Sequence, residues 1–135
     1  GGLPMGETYE FLKECGIFYL ATDEDGQPRV RPFGAVDLFE DRLYIQTGRV
    51  KPVSRQMKEN PRVEICCFKG GKWLRLSGRA VLDPRIEAQA HMLEANPGLK
   101  KRYAAGDGNT EVFYLAEATA RFCSFTEPEK VVRFG

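Results

Sequence analysis

From Phe18 onward, apolar residues recur at every second position in short runs separated by turn residues, the period of half-buried strands. The first run is Phe18 to Thr22. Asp25-Gly26 follows, a pair suited to the positive φ angles of a tight hairpin. The chain is expected to return over Arg29 to Val36, with Val30, Pro32, Gly34 and Val36 sharing a face. After a turn at Glu40-Asp41, Leu43, Ile45 and Thr47 alternate with Tyr44 and Gln46. Val63, Ile65 and Cys67 form one side of a fourth strand, and Gly70-Gly71 is a second hairpin turn. The fifth strand places Leu74, Leu76, Gly78, Ala80 and Leu82 on one face and Trp73, Arg75, Ser77 and Arg79 on the other. A long sixth strand runs from about Glu111 to Phe125, and Val131 to Phe134 reads as a short edge strand.

Three segments carry helical signals instead. Thr8 to Cys15 turns Phe11 and Leu12 inward and stops at Gly16. Pro52 to Glu59 opens on a proline suited to a first helical position and ends at Asn60-Pro61. The third begins at Asp83-Pro84, carries Ile86, Ala90 and Leu93 at helical spacing, and stops before Pro97. Antiparallel strands joined by tight turns, with helices at the crossings, predict a mainly β fold: a small barrel with helical covers. No repeat or linker divides the chain, so residues 1–135 are expected to form a single domain.

Composition narrows the functions. Lys plus Arg number 20 and Asp plus Glu 19, a net charge of +1, which argues against a nucleic-acid binder despite aromatics such as Phe18, Tyr19, Tyr44 and Trp73 that could stack on bases. No apolar run is long enough to span a membrane. The opening Gly-Gly-Leu-Pro-Met-Gly lacks the basic and apolar stretches of a secretory signal. Cys15, Cys66, Cys67 and Cys123 follow no zinc spacing, and no metal site is expected. Adjacent Cys66 and Cys67 should point to opposite faces as reduced thiols in a cytoplasmic protein. His91 is the only histidine, so no Ser-His or Cys-His arrangement stands out. No catalytic side chain is assigned, and any redox chemistry would rest on a cofactor.

One segment points to a ligand: Gln46-Thr47-Gly48-Arg49-Val50-Lys51-Pro52. A hydroxyl and a glycine end a strand, and a lysine stands before a helix start whose free N–H groups favour an anion. Thr47 can donate a hydrogen bond and Lys51 supplies a charge, a set suited to a phosphate monoester. The bland reading of the same residues is a solvated basic helix start. Arg31-Pro32-Phe33 lies on a strand whose proline implies an edge, able to offer backbone groups to a planar heterocycle or simply blunted against aggregation. Trp73 and Arg75 share a face that could meet a ring, a phosphate or a second subunit.

Taken in order, several pieces resemble the pyridoxamine 5′-phosphate oxidase-like flavin-binding split-barrel family, in particular its short general-stress-protein-type members. They are Gly16 with Phe18-Tyr-Leu-Ala-Thr22; Pro28-Arg-Val-Arg-Pro32; Tyr44-Ile-Gln-Thr47 followed by Lys51-Pro52 and Gln56; Asn60-Pro61; and Trp73-Leu-Arg75-Leu-Ser-Gly78. The resemblance implies a split barrel of six antiparallel, Greek-key-like strands. It also implies a homodimer holding FMN at the subunit interface. Arg31, Pro32 and Phe33 would lie along the isoalloxazine, Gln46, Thr47 and Gly48 would contact the ring edge and phosphate, and Lys51 would bind the phosphate. Trp73 and Arg75 would reach the cofactor held mainly by the other subunit. The family's B6 oxidases end in a basic, His-containing substrate-binding segment that the ending Val131-Val-Arg-Phe-Gly135 does not match. The function implied is therefore a flavin-dependent oxidoreductase acting on another small molecule, with reduced nicotinamide as a candidate donor. The alternative is a non-catalytic flavin-binding or sensing module on the same barrel, with deazaflavin or haem as minor variants.

Overall fold

A computed structural model describes residues 4–135; the first three residues of the opening segment lie outside it. The elements in chain order are α1 (Gly6–Cys15), β1 (Phe18–Glu24), β2 (Gln27–Phe33), β3 (Val36–Phe39), β4 (Arg42–Gly48), α2 (Pro52–Glu59), β5 (Arg62–Lys69), β6 (Lys72–Asp83), α3 (Ile86–Ala95), a 3-10 segment (Pro97–Lys101), β7 (Thr110–Ser124) and β8 (Lys130–Phe134). All strand pairs are antiparallel, in the order β2-β1-β5-β6-β7-β4-β3, with β8 also on β7. β2 and β3 do not pair, so the barrel stays open.

The split is built into β7. One edge of it pairs with β6 from Val112 to Ser124. Its other edge takes β4 from Thr110 to Tyr114 and then β8 from Ala118 to Phe122. Between these partners Glu117 adopts φ +51°, and two residues of β7 stand opposite Gly78. Glycine eases the fit there: a Cβ on Gly78 would lie 3.1 Å from the Ala116 carbonyl oxygen, so a larger residue would need the bulge to give by a few tenths of an ångström.

The strands expected from the sequence are present, with two changes. Arg29 to Val36 is two strands rather than one, because Gly34-Ala35 breaks the pairing, and β8 is a full partner of β7; the sheet has eight strands where six and a short edge were expected. The face shared by Val30 and Pro32 is the solvent side of β2. Val30 is 68% exposed and Pro32 is exposed, whereas Phe33 is buried and packs on Phe18. This edge strand, which holds Pro28 and Pro32, buries Phe33 and leaves Val30 in solvent.

Phe18, Leu20, Leu43, Ile45, Ile65, Leu74, Leu76 and Phe113 fill the barrel, closed by Leu12 of α1 and Met57 of α2. β4 is buried on both faces. Leu43 and Ile45 enter the barrel, while Tyr44 joins Ala35, Ala88, Met92 and Val112 under α3. That helix buries Leu93 as expected, together with Ala88 and Met92, while Ala90 is half-buried and Ile86, its first residue, is 61% exposed. The helix starts after Arg85, later than Asp83-Pro84. Asp83 is drawn off into accepting the Arg85 N–H at 3.1 Å, the Arg85 guanidinium at 2.9 Å and the Tyr44 hydroxyl at 2.7 Å.

The Arg85 guanidinium, with Tyr44 behind it, holds the buried Asp83 carboxyl down at about 2. A depressed carboxyl contributes stability above its unfolded pKa and loses it as pH falls through the folded value. We therefore expect acid unfolding to steepen between about pH 4 and 2, with up to about 2 kcal/mol from this group, reduced by solvent screening of Arg85. Urea midpoints measured across this range should flatten in Asp83→Asn.

His91 lies on α3 with Nδ1 2.6 Å from the buried Asp37 Oδ2, its ring 4.6 Å from that of Phe39. Burial pushes the Asp37 carboxyl up, and His91 opposes it. Removing His91 would leave that carboxylate buried without its partner. His91→Ala should cost about 1–3 kcal/mol in chemical denaturation. The deficit should grow as pH rises from 4 to 7, because ionising a carboxyl with a raised folded pKa destabilises the fold. A pH-independent deficit would mean that the pair contributes packing alone.

Candidate functional site

The ends of β2 and β4, the start of α2 and the segment from Ala95 to Tyr103 enclose a cleft of about 720 Å³. Arg31, Pro32, Phe33, Gln46, Thr47 and Lys51 all line it. Residues from three elements separated in sequence thus meet in one cleft. A second hollow of about 710 Å³ opens on the other side of the same wall and shares Arg31, Pro32, Lys51 and Val53 with the first.

α2 is fixed before it presents its N-terminus. Ser54 Oγ donates to Glu111, and Lys58 Nζ lies 2.6 Å from the same carboxylate. The Gln56 side-chain oxygen accepts from Thr22 Oγ1 at 2.5 Å and from Arg31. Pro52 occupies the first turn, and no side chain caps the helix start. Lys51 stands at that start, exposed, with no ion pair among the described residues.

Arg31 is half-buried. Its guanidinium donates to the Leu20 carbonyl at 3.1 Å, to Thr22 Oγ1 at 2.9 Å and to Gln56, all neutral acceptors. Burial lowers its pKa, with Arg29 adding to the effect, yet a guanidinium stays charged at physiological pH. The result is a rigidly held positive charge with no carboxylate bound to it. Thr47 is buried at the cleft wall and makes no side-chain hydrogen bond among the described residues. Gln46 donates to the Thr47 carbonyl at 3.1 Å.

Gly48 has a different setting. It does not line the cleft; a Cβ there would meet the Asn109 side chain at 3.1 Å and the Tyr103 hydroxyl at 3.2 Å. Its lack of a side chain lets the 103–109 loop close on β4. Asp107 accepts from the N–H groups of Ala104, Asn109 and Thr110, which hold its carboxyl well below the usual range.

Trp73 and Arg75 lie on the outer face of β6, away from the cleft. Trp73 packs on Phe125 at 5.0 Å between ring centres, and Arg75 lies 3.6 Å from Glu64. Tyr19, Cys66, Arg75 and Arg121 form one cross-strand row on this face; Phe68, Trp73 and Cys123 form the next. Tyr19 is 52% exposed, Phe68 62% and Phe125 85%. Cys66 is exposed and Cys67 buried, on opposite faces as expected, and burial pushes both thiols up, so neither is an activated nucleophile.

The wall from Ala95 to Tyr103 was not foreseen. Its only sequence signal is the basic run Lys100-Lys-Arg102 beyond Pro97, which carries no apolar period to mark it as facing a cleft.

The lining chemistry fits a flavin mononucleotide. Phe33, Ala35, Val53 and Leu99 offer apolar surface for a ring system, and Thr47, Lys51 and Arg31 offer a hydroxyl and two positive charges for a phosphate. No carboxylate lines the cleft among the described residues. Its volume is in the range of cofactor pockets.

The model of a family described as pyridoxamine 5′-phosphate oxidase matches residues 5–123. Among solved structures, a NimC/NimA family protein from Clostridium acetobutylicum is 45% identical, with a TM-score of 0.93 over 96% of this chain and 93% of that one. General Stress Protein 26 from Bacillus anthracis is 16% identical, with a TM-score of 0.74 over 95% and 97% of the two chains. A pyridoxamine 5′-phosphate oxidase-related, FMN-binding protein from Nostoc punctiforme is 14% identical, with a TM-score of 0.66 over 95% and 88%. The last two likenesses speak for the fold alone. No curated protein matches the chain.

Proposed function

Since the chain belongs to the pyridoxamine 5′-phosphate oxidase family, we propose that it is an FMN-binding homodimer and a flavin-dependent oxidoreductase acting on a small molecule other than a B6 vitamer. The observation that carries this reading is the cleft itself, with apolar walls, a hydroxyl and fixed positive charge, and no acid to repel a phosphate. The FMN-binding relative from Nostoc punctiforme has the same fold.

Bound FMN would supply one- or two-electron transfer. The chain's own part is to bind and orient. Lys51 and Thr47, at the α2 start, would hold the phosphate by a charge-assisted contact and a hydrogen bond. Arg31 adds charge without moving, because Leu20, Thr22 and Gln56 fix its guanidinium in advance. Pro32, Phe33 and Val53 would keep water from one side of the ring. Gln46, near the ring edge, has its amide N–H engaged by the Thr47 carbonyl, which leaves its oxygen to accept.

Homodimerisation draws support from the outer face, where Tyr19, Phe68, Trp73 and Phe125 together form an aromatic patch larger than an isolated exposed residue would give. In that assembly Trp73 and Arg75 would face the partner's cofactor.

FMN titration followed by flavin fluorescence and visible absorbance tests the reading. Saturation at one FMN per chain is expected, then bleaching by reduced nicotinamide and turnover with an electron acceptor. Absence of binding to folded protein would overturn the FMN assignment. Binding with no turnover by any donor would favour the non-catalytic flavin module.

A further inference from the structure

The three backbone N–H groups between the end of β4 and Pro52 are all engaged within the fold. Arg49 N–H donates to the Asn109 carbonyl at 2.7 Å, Val50 N–H to Asn109 Oδ1 at 3.2 Å, and Lys51 N–H to the Gly48 carbonyl at 3.0 Å. Two of these bonds therefore depend on one residue outside the turn. The turn has little else to hold it. Arg49 is exposed and Val50 is 81% exposed, so neither side chain anchors it in the core. A segment of this kind opens easily unless its backbone is tied down. Lys51 follows directly, so the place of its ammonium in the cleft depends on the turn.

Asn109 is itself held in advance. The Asp107 carboxylate accepts from the Asn109 N–H at 2.8 Å and from the N–H groups of Ala104 and Thr110, which fixes the loop that carries Asn109. Pairing of Gly48 with Thr110 brings that loop beside the turn. Gly48 leaves room for the close approach, since a Cβ there would lie 3.1 Å from Asn109 Nδ2. Two residues further on, Glu111 holds the body of α2 through Ser54 and Lys58. Neither Asn109 nor Glu111 lines the cleft.

We infer that Asn109 is a positioning residue for the phosphate end of the cleft. It touches no ligand. Its carbonyl and its side-chain oxygen take two successive N–H groups, fix the turn between β4 and α2, and hold Lys51 in place before a phosphate arrives. Ordering the turn on folding removes that cost from binding. The second of the two bonds needs a side-chain acceptor, so it is lost in N109A while the backbone bond remains. The inference rests on the FMN reading, which puts a phosphate beside Lys51 and Thr47.

The test compares FMN with riboflavin, which carries the same ring and no phosphate, in fluorescence titrations of wild type and N109A. Wild type is expected to hold FMN at least about tenfold more tightly than riboflavin. In N109A, FMN affinity should fall about five- to tenfold, while riboflavin affinity stays within about twofold of wild type. Amide exchange of the unliganded protein gives a second readout: the Val50 amide should exchange about tenfold faster in N109A.

Three results overturn the inference. An equal loss for both flavins in N109A would make Asn109 a prop for the whole cleft. An unchanged FMN affinity would leave it without a part in binding. A Val50 amide that exchanges as before would mean that the side chain does not hold the turn. The FMN reading fails separately, on wild type alone, if FMN binds no better than riboflavin or not at all; Asn109 then has no phosphate site to position, and the inference falls with it.

Discussion

Lys51→Ala is expected to weaken FMN binding roughly ten- to a hundredfold while leaving the unfolding midpoint of the unliganded protein unmoved. The ammonium makes no ion pair among the described residues and caps nothing there, so its removal costs them no contact. What is lost is a charge-assisted contact to phosphate, about 1.5–3 kcal/mol. Arg31→Ala should behave differently. Its guanidinium serves the Leu20 carbonyl, Thr22 and Gln56, and Gln56 belongs to the helix that presents Lys51. Deleting it removes a cleft cation and leaves buried acceptors unpaired, a further cost to stability of about 1–3 kcal/mol. Flavin fluorescence titration beside thermal melts separates the two variants: affinity alone for Lys51, affinity and stability together for Arg31. Unchanged affinity in both would put the phosphate elsewhere.

If the chain assembles as proposed, Phe68→Asp should give a monomer and weaken FMN binding in parallel. Phe68 pairs across the strands with Trp73, which itself packs on Phe125. An aromatic anchor at the centre of an interface contributes on the order of 2 kcal/mol, and a carboxylate in its place adds the cost of burying a charge. The dissociation constant of the dimer should therefore rise by at least about thirtyfold. Sedimentation at micromolar concentration reads the mass, and an FMN titration at the same concentrations reads the cleft. Loss of both together supports a cofactor shared between subunits. A monomer with full FMN affinity would confine the site to one chain and leave Trp73 and Arg75 without a role in it. The substitution lies on an exposed face, so the monomer should keep its fold.

Most of the barrel was legible because its strands are half-buried, and half-burial writes a period of two. β5 shows it plainly, with Val63, Ile65 and Cys67 in and Glu64, Cys66 and Phe68 out. The reading failed where burial departs from alternation. β2 is an edge whose one buried side chain is Phe33, and the alternation of Val30 with Pro32 does not tell which face meets solvent. β4 is buried on both faces, and nothing in its sequence says that Tyr44 lies beneath a helix. α3 starts later than expected, because the Asp83 side chain serves Arg85 and Tyr44 instead of starting a helix, and its first residue Ile86 stays exposed while Leu93 is buried as expected. In the cleft, the residues near Lys51 were readable because a strand end, a hydroxyl and a helix start lie together in sequence. The opposite wall was not, because Lys101 and Arg102 lie about fifty residues away and only the fold brings them across.

The two walls differ in what it takes to change them. Phe33, Gln46, Thr47 and Val53 are buried and tied into the barrel, so replacing them disturbs packing and ligand at once. In the segment from Pro97 to Lys101 only Leu99 packs, half-buried, on the cluster under α3; its other residues are exposed and can be replaced with little loss of stability. Substrate preference can therefore drift through this segment while cofactor holding is conserved by the fold's own requirements. Divergence among paralogues with this barrel is expected to concentrate between Ala95 and Tyr103, and a library randomised there is the economical route to a new specificity.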